Sequence, residues 1–385
     1  MSFRKVLSLF VVFSLLLAIV TSCSNKLDKE TLPSTTATTE STVESTSETS
    51  ETQPSHGPNS TAQVTEMPVP VHGQLSVNGT DIVDQNGEVY QLKGMSSYGI
   101  NACANFFNAD IVKTLAEDWG CSVLRLAMTT RGNSDDYTRD PEKYFNEMCD
   151  YINMCIDQGI YVIIDWHILY DGDPNEFKTE SIDFFSRMSA LYGENPNVIY
   201  EICNEPNGTR FDDESAPVDW SNCVKPYAQE VVAAIRANDP DNIIIIGTPT
   251  WSQDVDIASA DPVTGTNLMY TCHFYAGSHG QELRDKIVTA NNNGCAVFVT
   301  EWGTTNDSGK GQLYVDETNE WIDFLNERNI SWCNWSIGGS NTEASNALKF
   351  QSQILTIEEK YAGHWPDEFL TSSGTLVRSL ILEQE

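Results

Sequence analysis

From about residue 72 onward, apolar and polar positions alternate in two rhythms. Short apolar runs rich in Val, Ile, Tyr and Trp predict strands over 90–97 (YQLKGMSS), 121–128 (CSVLRLAM), 161–167 (YVIIDWH) and 198–205 (VIYEICNE). Four more follow over 242–248 (NIIIIGT), 268–275 (LMYTCHFY), 296–303 (AVFVTEWG) and 330–337 (ISWCNWSI). Between them apolar residues recur three and four apart, which predicts helices over 108–119, 142–158, 178–193, 221–238, 280–293 and 314–328, with a last amphipathic stretch over 374–383. Ahead of the first strand, Asn78-Gly79 and Asn86-Gly87 separate short apolar stretches within 74–92 and predict small hairpins. Eight strands alternating with helices predict an α/β fold, a (β/α)8 TIM barrel with a short N-terminal β-hairpin region. A doubly wound sheet is the alternative. No glycine-rich phosphate loop follows any strand, which counts against nucleotide-binding versions of either.

In such barrels chemistry gathers at the C-terminal ends of the strands. Those ends carry Ser97 and Tyr98, then Arg125, then Asp165 to His167, then Asn204 and Glu205. They continue with Thr248 to Trp251, His273 and Tyr275, Glu301 and Trp302, and Asn334 and Trp335. An Arg, two His, two Glu and several aromatics on one face make a site. Trp119 and Trp302 read as core. Asp165 and Glu201, set back from the tips, read as facing helices or lining the barrel. No pair of His and carboxylates has close metal-ligand spacing, so neither a metal nor another cofactor is expected.

Charge and composition narrow the partners. The chain of 385 residues carries a formal charge of −33. Its first 70 residues hold four basic and seven acidic side chains, so the acidity belongs to the remainder. Such a surface repels phosphate backbones, which excludes nucleic acid and favours a neutral substrate.

The N-terminus reads as a processed leader, residues 1–22. Arg4 and Lys5 precede the apolar run Val6–Val20, too short to span a membrane comfortably. Val20-Thr21-Ser22-Cys23 resembles a bacterial lipobox, which makes Cys23 the expected lipidation site and the protein's one link to a membrane. Residues 23–71 read as a disordered tether: of the 23 residues from Thr31 to Gln53, 14 are Ser or Thr. Residues 72–385 read as the catalytic barrel. Nine cysteines remain after Cys23, an odd number with no C-x-x-C pair, and most read as buried thiols.

The motifs LKGMSSYG, DWGCSVLRLAM, VIIDWH, IYEICNEP, CHFYAGSHGQ, FVTEWG and SWCNWS, in that order, resemble the bacterial endo-β-1,4-glucanases (cellulases) of glycoside hydrolase family 5 across residues 72–383. The resemblance implies hydrolysis of internal β-1,4 bonds of cellulose and related β-glucans by a retaining double displacement. Glu205 would be the acid/base and Glu301 the nucleophile. It implies a β-glucan polysaccharide as partner; the leader implies a secreted or cell-surface protein, and a monomer is expected. Physical reasoning agrees with the roles. Asn204 can hold a sugar hydroxyl, Arg125 and Tyr275 can bond Glu301, and Glu205 needs a poorly polar or anionic setting to start protonated. His167 and His273 are expected against the sugar or the glutamates. Trp335 is expected to stack on the sugar at the cleavage point, and Trp220 and Trp251 are candidates for the leaving-group side.

Four positions depart from the family pattern. Tyr98 stands where His is usual, Ala102 where Trp is usual and Thr129 where Tyr is common, and the loop Gly338-Gly339-Ser340-Asn341 lacks a usual Lys. All would lie toward the non-reducing end. They keep open a related endohydrolase of mannan, xyloglucan or mixed-linkage glucan. A glycan-binding surface lipoprotein without catalysis is the alternative of another class.

Overall fold

A computed structural model describes residues 66–101, 107–132, 135–209, 216–338, 344–349 and 365–383. Strands β1 (Ser76–Asn78) and β2 (Asp81–Val83) form an antiparallel hairpin through the Gly79-Thr80 turn. The parallel strands then follow: β3 (Lys93–Ser96), β4 (Val123–Thr129), β5 (Tyr161–His167), β6 (Val198–Glu201) and β7 (Ile244–Ile246). They continue with β8 (Leu268–Thr271), β9 (Phe274–Tyr275), β10 (Ala296–Gly303) and β11 (Trp332–Trp335). Strands β8 and β9 occupy one barrel position, broken at Cys272-His273, and both run parallel to β10. Strand β11 pairs with both β10 and β3, so eight positions close into the expected barrel.

Local chemistry explains the elements. The helix Pro141–Gln158 starts where Asp140 caps the Lys143 amide and Pro141 presets φ, and it stops at Gly159, whose φ of +75° favours a residue without Cβ. It buries Tyr144, Phe145, Met148, Tyr151, Ile152 and Cys155 at helical spacing, each worth about 1.5–3 kcal/mol when large and apolar. Gly94 lets β3 approach β4: a Cβ there would sit 1.8 Å from the Val123 carbonyl oxygen. The helix Ser372–Leu382 closes the described chain and is capped by Thr371.

Two apolar regions hold the barrel. One lies between strands and helices. The other fills the barrel's lower interior with Val123, Tyr161, Ile163, Ile245 and Phe298, and takes in Leu75, Ile82 and Leu92 from the N-terminal region. Among the described residues no helix is long and apolar enough to cross a membrane. The eight described cysteines are all unpaired, and six of them are buried. Cys23, Cys103, Ala102 and residues 339–341 lie outside the described residues.

The structure differs from the sequence reading in several places. The end of the expected tether, disordered as far as 71 in that reading, is ordered: Pro68–His72 is a helix, and the Val69 amide donates to the Gly159 carbonyl at 3.0 Å. The fourth strand ends at Glu201, not 205. Beyond it the chain flares, with the Ile202 amide on the Ile245 carbonyl and the Asn204 amide on the Trp166 carbonyl, at 3.0 and 3.1 Å. The helix expected at 221–238 opens as a π-turn over Trp220–Val224. A short helix, Val255–Ala260, lies between the fifth and sixth positions, where none was expected.

Candidate active site

Arg125, fully buried on β4, organises the barrel mouth. Its Nε and Nη2 donate to the two oxygens of Glu201 at 2.7 and 3.0 Å, a bidentate pair. Nη1 donates to Glu301 Oε2 at 3.0 Å and Nη2 to Asn204 Oδ1 at 2.6 Å. Asp165 Oδ2 lies 2.9 Å from Nη2. Strand register explains the convergence: Asp165 pairs with Ala127 on β4 and with Glu201 on β6, so the two acids are neighbours inside the barrel. Three carboxylates crowd one guanidinium. Burial pushes the Asp165 carboxyl up to about 7 even with Arg125 beside it.

Glu205 stands above this layer, its side chain 15% exposed. Burial lifts its carboxyl to about 8, with Asp165 and Glu201 adding to the rise and Arg125 opposing it. Its Oε1 lies 2.9 Å from His273 Nδ1. The other ring nitrogen, Nε2, lies 2.9 Å from Thr300 Oγ1, which in turn donates to Glu201 Oε1 at 2.8 Å. Burial depresses the His273 imidazole to about 4, so the ring is neutral at pH 7.

Glu301 accepts from Arg125 on one oxygen and from the Tyr275 hydroxyl, at 2.9 Å, on the other. One ligand atom each from Glu205, His273 and Glu301 lie within 4.8 Å of one another. That spacing can ring a cation, but the donors are already committed. Both His273 nitrogens and both Glu301 oxygens have partners, and a buried guanidinium sits beside them. The donor set does not fit a metal.

The aromatic candidates divide. His167, on β5, stacks on Trp335 with ring centroids 5.2 Å apart and planes 3° from parallel. Its Nδ1 meets Asp165 Oδ2 at 2.7 Å, and burial holds the imidazole neutral, down at about 3. Tyr98 leans on Trp335 at 5.5 Å. Trp251 is 44% exposed, and its amide reaches the Pro206 carbonyl at 3.3 Å, next to Glu205. It sits in a turn of three left-handed residues, Thr250, Trp251 and Ser252, with φ of 57°, 54° and 55°. Backbone strain of this kind survives where surroundings enforce it. Here the Ser252 hydroxyl donates to the Asn204 carbonyl at 2.6 Å and the Ser252 carbonyl accepts from the His273 amide at 2.8 Å. Trp220 is not brought to the mouth. It is 2% exposed, packs edge-on against Tyr270, and spends its indole N–H on the Asp261 carbonyl. The reading of Trp220 as a sugar contact is corrected: its ring belongs to the core.

Residues 83–341 match the family model of cellulase, glycosyl hydrolase family 5. The chain belongs to glycosyl hydrolase family 5. An endoglucanase of Clostridium saccharobutylicum is 48% identical over 309 residues, covering 80% of this chain but only 65% of that protein's length. The solved cellulase Cel5C_n shares 42% identity at a TM-score of 0.75, covering 84% of this chain and 96% of that one. The catalytic domain of Thermobifida fusca endoglucanase Cel5A, solved as a variant in complex with cellotetraose, is 33% identical at a TM-score of 0.75, covering 83% of this chain and 100% of that one.

This family 5 barrel has members in its mouth that the sequence reading left aside. Asp165 and Glu201 line the barrel, one of the two options kept open for them, and there they bind Arg125. Thr300 was not singled out at all. Strand β10 spends four residues, Val299 to Trp302, against three on β11, Trp332 to Asn334. The extra residue is a bulge that re-aims side chains. It lets consecutive Thr300 and Glu301 both face the mouth.

Proposed function

We propose that the protein is a retaining endo-β-1,4-glucanase acting on cellulose and related β-glucans. The observation that carries this reading is the pair Glu205 and Glu301, with carboxyl oxygens within 4.8 Å and unlike surroundings. Retaining glycosidases hold their carboxyls roughly 5–5.5 Å apart, whereas inverting ones need a wider gap for water. Glu205, lifted to about 8, is held as an acid at neutral pH. Glu301, bonded by Arg125 and Tyr275, is held as a carboxylate acceptor in fixed orientation.

In the first displacement the Glu205 proton passes to the glycosidic oxygen as a Glu301 oxygen bonds the anomeric carbon and the leaving sugar departs. In the second, the Glu205 carboxylate takes a proton from water, the water oxygen bonds the anomeric carbon, and Glu301 is released. Asn204, His167 and Trp335 form the wall against the sugar at the cleavage point. Trp251 offers an exposed indole beside Pro206 for a leaving-group sugar. The relatives' names and the cellotetraose complex of a neighbour support a β-1,4-glucan as substrate.

The leader 1–22, a lipid anchor at Cys23, the tether 23–71, a catalytic region 72–385, a cell-surface site and a monomeric state belong to the same proposal. The leader, anchor, tether and surface site rest on the basic, apolar and small-residue order of the N-terminus and on the Ser/Thr-rich stretch after it. Labelling with a fatty-acid analogue tests the anchor: Cys23→Ser is expected to lose the label and enter the medium.

The activity is tested by reducing-sugar release on carboxymethyl cellulose, barley β-glucan, xyloglucan and glucomannan, with Glu301→Gln as control. Release from the first two that vanishes in the control is expected. Release confined to xyloglucan or glucomannan would redirect the substrate assignment. Glycan binding without any release would leave a binding protein.

A further inference from the structure

The mechanism above uses His273 only as a neighbour of Glu205. What that neighbour does depends on which ring nitrogen carries the proton, and the structure decides this from below. Glu201 is held by two hydrogen bonds from Arg125 and acts as an acceptor. The Thr300 hydroxyl, 2.8 Å from Glu201 Oε1, therefore spends its one hydrogen there. Its lone pairs are left to accept, from Thr271 Oγ1 at 2.6 Å and from His273 Nε2 at 2.9 Å. A neutral imidazole has one N–H and one lone pair. With the N–H on Nε2, the lone pair is on Nδ1 and points at Glu205 Oε1, 2.9 Å away.

Building on the reading of Glu205 as acid/base, we propose that Thr300 is a positioning residue for it. By committing its hydrogen to Glu201, Thr300 fixes the Nε2–H tautomer of His273 and so presents Glu205 with an acceptor that only the protonated carboxyl can satisfy. Before proton transfer the Glu205 O–H donates to Nδ1. After transfer the carboxylate faces a lone pair, an unfavourable contact that returns it toward the protonated form when water attacks.

The other titratable and charged groups around Glu205 do not replace this effect. Arg125 on β4 favours the ionised carboxyl, Asp165 on β5 and Glu201 on β6 disfavour it, and all three lie in the buried layer beneath. His167 on β5 is engaged with Asp165 and stacked on Trp335. Tyr275 on β9 and Glu301 on β10 are engaged with each other. Glu201 Oε1 stands 3.9 Å from His273 Nε2, too far to take over as acceptor if Thr300 lost its hydroxyl. The Nε2–H would then be buried without a partner, and the ring would move its proton to Nδ1, where it donates to ionised Glu205.

The experiment has two readouts on the full-length protein. The first is a two-bond proton–nitrogen NMR correlation on histidine-labelled wild type; the chain has six histidines, and His273→Asn assigns the signal. The proton is expected on Nε2, and finding it on Nδ1 overturns the proposal without any variant. The second is the pH profile of kcat/KM. In Thr300→Val the alkaline limb is expected to move down by about one pH unit, so that activity at pH 8 falls about fivefold while activity at pH 5 stays within about twofold. Thr300→Ser, which keeps the hydroxyl, restores the wild-type limb. An unmoved limb in Thr300→Val, or a uniform loss at all pH values that Ser does not restore, overturns the idea. Failure of the underlying acid/base reading looks different. It would show as Glu205→Ala hydrolysing unactivated glucan like wild type, whatever the tautomer.

Discussion

Replacing Arg125 by Met keeps much of the volume and removes the positive charge that pairs with three buried carboxylates. In the wild type Asp165, Glu201 and Glu301 all lie within 3.0 Å of the guanidinium. Removing one partner of a buried ion pair costs about 3–5 kcal/mol, because the other charge is left uncompensated. For a domain of this size that lowers the unfolding midpoint by on the order of 5–10 °C. The sign with pH follows from the carboxyls. Burial already raises the Asp165 and Glu201 carboxyls, and without Arg125 both rise further above their unfolded values, so the stability they contribute is full at low pH and is lost as pH rises. The variant should therefore sit close to wild type near pH 5 and fall well below it by pH 8. Urea unfolding at the two pH values measures this, and activity should vanish at both. Wild-type stability at pH 8, or an equal deficit at both pH values, would refute the argument from charge and point to packing alone.

Further outcomes are expected elsewhere in the mouth. Because Glu205 works protonated and is lifted to about 8, kcat/KM should decline above roughly pH 8, tenfold per unit, and a profile flat to pH 10 would contradict its role as acid. Tyr275→Phe removes one hydrogen bond to Glu301; at about 1.5–3 kcal/mol for a bond to a charged group, kcat should fall roughly 10- to 150-fold with the unfolding midpoint unchanged. An unaltered kcat would show that the phenol only fills space. Trp251→Gly relaxes a left-handed backbone with φ of 54°, so stability should hold or rise by up to about 1 kcal/mol. KM for long glucans should rise severalfold through loss of an exposed ring, and unchanged KM would remove Trp251 from the cleft.

The barrel was legible because each apolar run was short, bounded, and separated from the next by a helical rhythm. The strand-tip acids were legible for the same reason: Glu205 and Glu301 end runs that burial alone would keep apolar. Asp165 and Glu201 carried a signal left unread. Asp165 is two residues before His167, so alternation along the strand sets both on the inner face, and Glu201 is two residues after Ile199, which the same alternation points inward. Other features had no local signature. The bulge that turns Thr300 inward is set by pairing with β11, not by any Gly in β10's centre. The left-handed turn at 250–252 contains no Gly or Asn to announce it. Trp220 precedes a helix in sequence just as a cleft residue can, and only the packing against Tyr270 reveals it as core.

Leu75, Ile82 and Leu92 join the apolar fill beneath the charged layer and floor the barrel. For proton traffic the floor is a dead end. At the mouth Glu205 is the group a hydrogen ion meets first, its side chain 15% exposed where that of Glu301 is 7% and those of Arg125, Asp165 and Glu201 are 0%. A glucan strand lying across the mouth would cover that approach. The hydrogen ion that cleaves the chain is then one that Glu205 took up before the sugar arrived.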